Sequence, residues 1–443
     1  MKKIIVIVIF LLCSAVNSHG QWNKVNSGIS DYLFSAFFIN TQTGYIGGQD
    51  SPGRIYKTVN GGLNWNLVLA TAGNERFECL FFINEQTGWA GSYYGLTYKT
   101  TNGGANWSYS VIQGRVRRIQ FLNQLTGFAV TSQGARKSTN GGLSWFSVLN
   151  ASEGIGLKFF NTEIGLVSIQ NGSFSKIFKT VNGGLNWTEV YNEPLATGIN
   201  NFSFINNSTG YASGNYKLTL KTIDQGSSWT EVFKDPSSVS VIYDHRVIHF
   251  VDANLGYACG QYLIPGPSTY RGAVFNKTTN GGLTWEFQSI TPGIHNVWAF
   301  EDMQIVDGQI GFVVGSSGNV YKSTNAGFVG IQPISTEIPQ YFSLHQNYPN
   351  PFNPSTKIKF QIPLLRGVSG EAGQLVTPGR DGVFTSLKIF DILGREVRTL
   401  VNENLKPGIY EADFNSTDLP SGVYFYKLNA GEFVATKKMI LMK

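Results

Sequence analysis

The stretch KTVNGGLNW at residues 57–65 decides the fold, because the chain repeats it. Further copies of this stretch, which we call the box, end at Trp107, Trp145, Trp187, Trp229 and Trp285. Counted from Trp65, successive tryptophans are 42, 38, 42, 42 and 56 residues apart. Four-stranded propeller blades repeat every ~40 to 50 residues, so this spacing predicts an all-β toroid.

A seventh copy of the box begins at Ser323 but has Gly330 where the tryptophan belongs. Residues 21–25, QWNKV, match residues 64–68, NWNLV, and supply the missing strand. We therefore expect a seven-bladed β-propeller closed by its N-terminal strand. Such closure removes the exposed sheet edges that an open array would leave.

The box also predicts its own turn. An Asn or Asp two residues after Thr or Ser can bond back to the turn backbone, and a glycine two positions later tolerates positive φ. The residues to which we assign this structural role are Asn60, Asn102, Asn140, Asn182, Asp224, Asn280 and Asn325, with Trp22, Trp65, Trp107, Trp145, Trp187, Trp229 and Trp285.

These spacings resemble the Asp-box, or BNR, repeat family, in which the box is a fold element away from the active site. The strand Gly88–Gly91, followed by Lys-Thr-x-Asn-Gly-Gly, is similar to propellers related to photosystem II assembly factors. The resemblance covers residues 21–330 and implies an architecture without naming a ligand.

The beginning of the chain predicts export. Two lysines and an apolar run precede Ser18 and Gly20, so residues 1–20 are expected to be a signal peptide cleaved before Gln21. The mature chain then keeps only Cys79 and Cys259, in different repeats, which argues against a disulfide framework or a metal site. The charge of +6 is dispersed through loops without a nucleic-acid-binding motif.

A second domain is expected at residues 341–443, after a linker at residues 331–340, with short strands typical of a small Ig-like β-sandwich. Its opening motif contains Asn347, Pro349, Asn350, Pro351, Phe352, Asn353 and Pro354. The ordered motifs resemble the type A sorting domain of the type IX secretion system. The resemblance implies Sec export to the periplasm, passage through the outer membrane, and a secreted or cell-surface product. An adhesive sandwich domain is the alternative.

Candidate ligand-binding residues come from aligning the first strand of every repeat. The alignment places Ser35, Cys79, Arg118, Gly156, Asn201, Arg246 and Asp302 at one level, and strand alternation would point this polar set into the central channel. The next ring would include Gln120 and Lys158. We predict a channel-mouth site formed by Arg118, Arg246, Lys158, Asp302, Asn201 and Gln120 that holds a carboxylate, sulfate or phosphate. The alternative is that these charges pair with Glu78, Glu301 and Asp302.

The leading functional hypothesis is a non-catalytic, monomeric binding propeller that takes an extracellular glycan or protein and engages the type IX secretion machinery through residues 341–443. No catalytic residue, cofactor or metal is assigned. The first alternative is a secreted glycoside hydrolase of sialidase type, although no pair of carboxylate residues occurs in a sequence motif of the spacing that such catalysis would require. The second alternative is an assembly or structural factor of the cell envelope.

Overall fold

The computed structural model describes residues 22–50, 52–172, 174–193, 198–235, 241–264, 270–288, 290–291, 297–308, 310–323, 332–335, 337–364, 383–416 and 419–443. The expected signal peptide, Asn325, and residues 331 and 336 of the expected linker lie outside this part. No helix long and apolar enough to cross a membrane occurs in the part described. The described residues belong to two compact units, within residues 21–327 and 328–443.

The first unit is built from groups of four antiparallel strands, which we number as blades in chain order. Blades 1 to 3 consist of Tyr32–Phe38, Gly44–Asp50, Arg54–Thr58, Asn66–Ala70; Glu75–Phe82, Gly88–Ser92, Leu96–Thr100, Ser108–Val111; and Val116–Phe121, Gly127–Thr131, Gly134–Ser138, Phe146–Asn150. Blades 4 to 6 consist of Gly154–Phe159, Gly165–Asn171, Phe174–Thr180, Thr188–Glu193; Ile199–Phe204, Gly210–Gly214, Thr219–Thr222, Thr230–Phe233; and Ile242–Phe250, Gly256–Ile264, Tyr270–Thr278, Glu286–Phe287. Blade 7 consists of Phe300–Val306, Ile310–Gly315, Val320–Ser323 and the N-terminal strand Trp22–Val25.

The N-terminal strand is held from both sides. It runs antiparallel to Val320–Ser323, with Asn23 opposite Lys322. On its other side it runs parallel to Ile290–Thr291, which lies between blades 6 and 7. Trp22 is completely buried there.

The box forms a tight turn held by its own side chains. The Asn60 side-chain oxygen accepts the Asn64 N–H at 3.0 Å, and the Thr58 hydroxyl accepts the Gly62 N–H at 2.9 Å. Gly61 and Gly62 have φ values of +67° and +86°, a region that favours glycine. The same bond from the box side chain to the backbone is made by Asn102, Asn140, Asn182, Asp224 and Asn280.

Aromatic rings join each blade to the preceding one. Phe38, the last residue of the first strand of blade 1, stacks on Phe312 of blade 7 with a centroid distance of 3.5 Å. Trp65 of the box meets Phe38 edge-on at 6.0 Å. Equivalent stacks are Phe82 on Tyr45, Phe121 on Trp89, Phe159 on Phe128, and Phe250 on Tyr211. Gly44 opens the second strand under this ring, since a Cβ there would lie 2.3 Å from Phe38 Cδ1.

Polar bonds reinforce the same boundaries. Lys57 donates to the Gly103 carbonyl at 2.8 Å, so a lysine of one blade caps the box of the next. Lys322 makes the corresponding bond to Gly61 at 2.7 Å, between blade 7 and blade 1. Each lysine head group therefore helps to satisfy a turn carbonyl, and at Gly103 the Tyr45 hydroxyl donates to the same carbonyl at 2.9 Å.

The second unit is a sandwich of two four-stranded sheets around one apolar core. The sheets are ordered Gln332–Ser335, Gly408–Asn415, Ser355–Ile362, Ser343–Leu344, and Glu396–Leu405, Val383–Phe390, Gly422–Ala430, Phe433–Leu441. The sequence predicted that residues 331–340 are a linker, and this is wrong for Gln332–Ser335. These residues form an edge strand paired with Gly408–Asn415, because Tyr410 and Glu411 lie opposite Pro333 and Gln332.

We predict that Trp22→Ala destabilises the propeller by about 3 to 5 kcal/mol, the usual cost of truncating a buried tryptophan. The ring is buried against Phe275 at 4.9 Å and Tyr257 at 5.8 Å, both in blade 6. Thermal unfolding of the purified protein measures the effect. Trp298→Ala is the control, because Trp298 is 64% exposed and should shift the transition little. Equal shifts in both variants would contradict the expectation.

Candidate functional site

A β-bulge interrupts the first strand of every blade at the same place. In blade 3, for example, Val116 and Arg118 pair with consecutive residues of the next strand, leaving Arg117 unpaired between them. The residues within these interruptions include Phe34, Glu78, Arg117, Ile155, Asn200, Arg246 and Glu301, one from each blade. A bulge re-aims a side chain that regular alternation would point elsewhere.

These bulge residues line one pocket of about 320 Å³, together with Arg76, Arg115, Arg118 and Asp244. Because every blade contributes a bulge residue, the pocket lies on the axis around which the blades are arranged, and we call it the axial pocket. Five arginines and three carboxylates line it, so its wall carries an excess of positive charge.

On the side of blades 2 and 3, ion pairs hold three of the arginines. Glu78, which is buried, pairs with Arg76 and with Arg115, the latter at 2.6 Å. Arg117 pairs with Glu153 at 2.7 Å. Burial, together with the neighbouring Arg115 guanidinium, lowers the pKa of Arg117. Positive charge is therefore crowded on this side despite the pairs.

On the side of blades 6 and 7 the charges are closely matched. Arg246 pairs with Glu301 and, at 3.2 Å, with Asp244. The Tyr32 hydroxyl donates to Glu301 at 2.7 Å, and the Asn200 side chain donates to Asp244 at 2.8 Å. Both carboxylates, Asp244 and Glu301, therefore have an ion-pair partner and a hydrogen-bond donor within the protein.

Arg118 differs from the other pocket arginines. It is half-buried, and its guanidinium donates to the Arg117 carbonyl at 3.2 Å. Among the described residues no carboxylate lies within 4.0 Å of it. It is thus the arginine of the pocket wall without a described ion-pair partner, although its charge acts on Asp302 from beyond 4.0 Å and partly offsets the rise that desolvation causes in the pKa of that carboxyl.

The structure brings two of the six predicted ligand-binding residues, Arg118 and Arg246, to the axial pocket. Gln120 instead bonds across a blade boundary: its Nε2 donates to the Phe159 carbonyl and its Oε1 accepts the Phe159 N–H, each at 2.8 Å. Asp302 accepts the N–H groups of Ala36 and Met303, and desolvation raises its pKa.

The remaining two predicted residues, Lys158 and Asn201, also lie outside the pocket wall. Lys158 is half-buried, with its ammonium 5.7 Å from the centre of the Phe160 ring, and burial lowers its pKa. Asn201 follows the bulge residue Asn200 and pairs within its blade opposite Ser213. A ligand role for these two residues stays a prediction.

The predicted alignment of first strands is wrong in blade 6. The register there makes Val247 equivalent to Ser35, while Arg246 is the bulge residue equivalent to Phe34. In the other blades, the prediction assumed unbroken alternation along the first strand and therefore chose the residue that follows the bulge residue. Arg117 and Glu301 were missed for this reason. The phenylalanine that ends the first strand of blades 1 to 6, such as Phe38 or Phe250, would have fixed the alignment of blade 6.

No group of three or more His, Cys, Asp or Glu side chains is placed to hold a metal ion within the part of the chain that the structure describes. Cys79 and Cys259 are both buried with free thiols. Burial raises the pKa of the Cys79 thiol to about 12, which disfavours the reactive thiolate.

In the second unit, the proline-rich motif is fixed along the last strand. Asn347 is buried and donates to the Pro349 carbonyl and the Thr356 hydroxyl, each at 3.0 Å. Asn350 accepts the Ile440 N–H at 2.9 Å, and Phe352 is buried in the core. The motif therefore has a structural role in this sandwich.

Residues 346–442 match the model of the secretion system C-terminal sorting domain family. Comparison with curated protein sequences gives no match.

The first unit is similar in fold to solved β-propellers. YCF48 from Cyanidioschyzon merolae has a TM-score of 0.52 and 17% identity, covering 68% of this chain and 98% of its own. YCF48 bound to D1 peptide gives 0.52 and 16%, covering 69% and 98%. A GH74 xyloglucanase from Xanthomonas campestris gives 0.53 and 11%, covering 77% of this chain and 59% of its own.

The chain is therefore a β-propeller that carries a C-terminal secretion sorting domain. It is exported through the type IX secretion system to the cell surface or the medium.

A buried histidine lies between two residues of the axial pocket wall. His245 follows Asp244 and precedes Arg246, but its ring is directed into the blade interior and is completely buried. Its Nε2 lies 3.0 Å from the Asn276 side-chain oxygen. Burial lowers the pKa of His245 to about 4, so the ring is neutral in the folded protein at pH 7.

We predict that this histidine makes stability fall in acid. In the unfolded chain its pKa is ordinary, near 6.5, so between about pH 6.5 and pH 4 the unfolded state binds a proton that the folded state rejects. Stability is fully present above this window, and the loss across it is on the order of 3 kcal/mol. The free energy of unfolding, measured by urea titration between pH 7.5 and 4.5, should fall more steeply with decreasing pH for the wild type than for His245→Gln. Parallel pH profiles would contradict the expectation.

Proposed function

We propose that this protein is an exported, non-catalytic binding propeller whose axial pocket takes an anionic group of an extracellular glycan or protein. The observation that carries the proposal is Arg118, a half-buried guanidinium in the pocket wall without a described carboxylate within 4.0 Å. An arginine fork binds carboxylate, sulfate or phosphate through charge-assisted hydrogen bonds.

The surroundings of Arg118 support this proposal. Burial lowers the pKa of Arg76 and of Arg117, which means that desolvation opposes charge on both guanidinium groups. An anion entering the pocket would offset that cost, since opposite charge favours the ionised form. Ion pairs to Glu78 and Glu153 hold the neighbouring arginines in place, so little side-chain entropy remains to be lost on binding.

We further propose that residues 21–330 form a closed ring of seven blades, that residues 1–20 are a signal peptide, and that residues 341–443 are the sorting domain, to which Gln332–Ser335 add an edge strand. Pairing of Asn23 with Lys322 and stacking of Phe38 on Phe312 support ring closure. The family match to residues 346–442 supports the start of the sorting domain near residue 341.

A glycosidase of sialidase type is the second candidate, because Glu78, Asp244 and Glu301 line the pocket. Each of them pairs with at least one arginine. Glycoside hydrolysis needs one carboxyl group that keeps a proton, whereas an adjacent guanidinium favours the ionised form. These pairs weigh against catalysis, and the xyloglucanase likeness concerns the fold alone.

An assembly factor of the cell envelope is the remaining candidate. The YCF48 structure with its D1 peptide makes a peptide partner reasonable for this fold, although at 16% identity the likeness shows no shared ligand. A peptide carboxylate and an acidic sugar offer the pocket the same anionic chemistry. Binding probes must therefore include both.

We predict that the purified protein binds anionic glycans or acidic peptides in preference to neutral ones, and that Arg118→Ala weakens this binding at least ~10-fold, the value of one charge-assisted hydrogen bond. The measurement is binding to an array of neutral glycans, anionic glycans and acidic peptides. Added salt should weaken the wild-type signal.

The matched control for this experiment is Arg271→Ala. Arg271 is an exposed arginine in blade 6, and it does not line the axial pocket. The control removes the same charge from the protein and should bind like the wild type. Equal losses in the two variants would indicate a general effect of net charge and refute the pocket.

A further inference from the structure

A continuous strip of aromatic and arginine side chains leads out of the axial pocket. Tyr32 stacks on Phe34 at 4.4 Å, and the Arg76 guanidinium lies 3.8 Å from the centre of the Phe34 ring. The strip continues outward to Tyr93, which lies 5.3 Å from Arg76 and 4.8 Å from Arg115. It ends at Tyr94, edge-on to Tyr93 with a centroid distance of 5.3 Å.

The strip is continuous with the pocket and is open to solvent at its outer end. Phe34, Arg76 and Arg115 all line the axial pocket. Phe34 is buried, whereas Tyr93 is 40% exposed and Tyr94 is 59% exposed. A ligand anchored in the pocket would therefore meet arginine first and tyrosine faces further out.

The parts of this strip are held in position before any ligand arrives. Arg76 and Arg115 share Glu78 as an ion-pair partner, which fixes both guanidinium groups beside Tyr93. The Tyr93 N–H donates to the Arg76 carbonyl at 2.9 Å, so the loop that carries both tyrosines is tied to the first strand of blade 2. A surface that is already ordered loses little conformational entropy on binding.

We propose that this strip is a subsite for an acidic polysaccharide chain, with uronate-type sugars running from the axial pocket across Tyr93 and Tyr94. The inference rests on the proposed anion binding and names the class of ligand for the same site. A uronate offers a carboxylate to guanidinium groups and a flat C–H face to an aromatic ring. The strip presents Arg76 and Arg115 over the Tyr93 ring, followed by the exposed ring of Tyr94. An acidic peptide offers the charge without the flat ring face.

The experiment compares oligogalacturonates with oligoglutamates, each as a dimer and as a hexamer, by isothermal titration calorimetry on the purified full chain. The wild type should bind the galacturonate hexamer more tightly than the dimer. Tyr94→Ala should weaken the hexamer about tenfold while leaving the dimer unchanged, since one aromatic contact is removed outside the pocket. Tyr94→Phe keeps the ring and should bind like the wild type.

The matched control is Tyr109→Ala, which removes a tyrosine of similar exposure, 68%, from the fourth strand of the same blade. It should leave all affinities unchanged. Arg118→Ala should weaken dimer and hexamer alike, because it acts in the pocket.

The outcomes separate the two proposals. If the galacturonate dimer binds through Arg118 but Tyr94→Ala leaves the hexamer affinity unchanged, the strip is refuted and the pocket stands. An equal loss for the glutamate hexamer in Tyr94→Ala also refutes a sugar subsite and favours an acidic peptide. If the wild type binds neither the galacturonate dimer nor the hexamer, the polysaccharide inference is refuted. The array of glycans and peptides then tests independently whether the axial pocket binds anions.

Discussion

Stacking of one aromatic ring on another, at five of the seven blade boundaries, is the contact on which the propeller depends. Phe38 on Phe312 and Phe121 on Trp89 are two examples, at 3.5 and 3.6 Å. Such stacks need the glycine that opens the second strand, because any Cβ at Gly44 would enter the Phe38 ring. The repeated stack sets the distance between neighbouring blades, and it thereby brings the first strands together around an axis.

The axial pocket follows from this arrangement and from a local irregularity. A bulge in each first strand turns one side chain inward, so the composition of the pocket depends on a single position in every repeat. Charged groups at such positions are costly to bury unless they are paired. Glu78 and Glu301 offset most of that cost, whereas Arg118 retains a charge without a described carboxylate beside it.

The regular features of the fold could be predicted from the sequence because each has a strong residue preference. The box turn needs Asn or Asp and two glycines, and the spacing of its tryptophans predicted the propeller. The sorting domain was likewise predicted, from its ordered motifs, and the family match at residues 346–442 confirms it.

The site was harder to predict, because the bulge has no residue preference of its own. Phe34, Arg117 and Ile155 all occupy it. A shift of one residue exchanges the two faces of a strand, so strict alternation favoured Asp302 over Glu301. Gln120 has the residue type of a ligand-binding side chain, but its amide bonds to the Phe159 backbone across a blade boundary. Sequence alone cannot distinguish these two uses of an amide.

The pairing of Trp22–Val25 with Val320–Ser323 has a consequence for biogenesis. The strand Trp22–Val25 has its partner almost three hundred residues later in the chain, so the sheet of blade 7 cannot be completed until nearly the whole propeller segment has been synthesised. Contacts between such distant segments form slowly, because a long loop must close before they are gained. The contacts that close blade 7 are therefore expected to form after those within blades 1 to 6, whose strands lie close together along the chain.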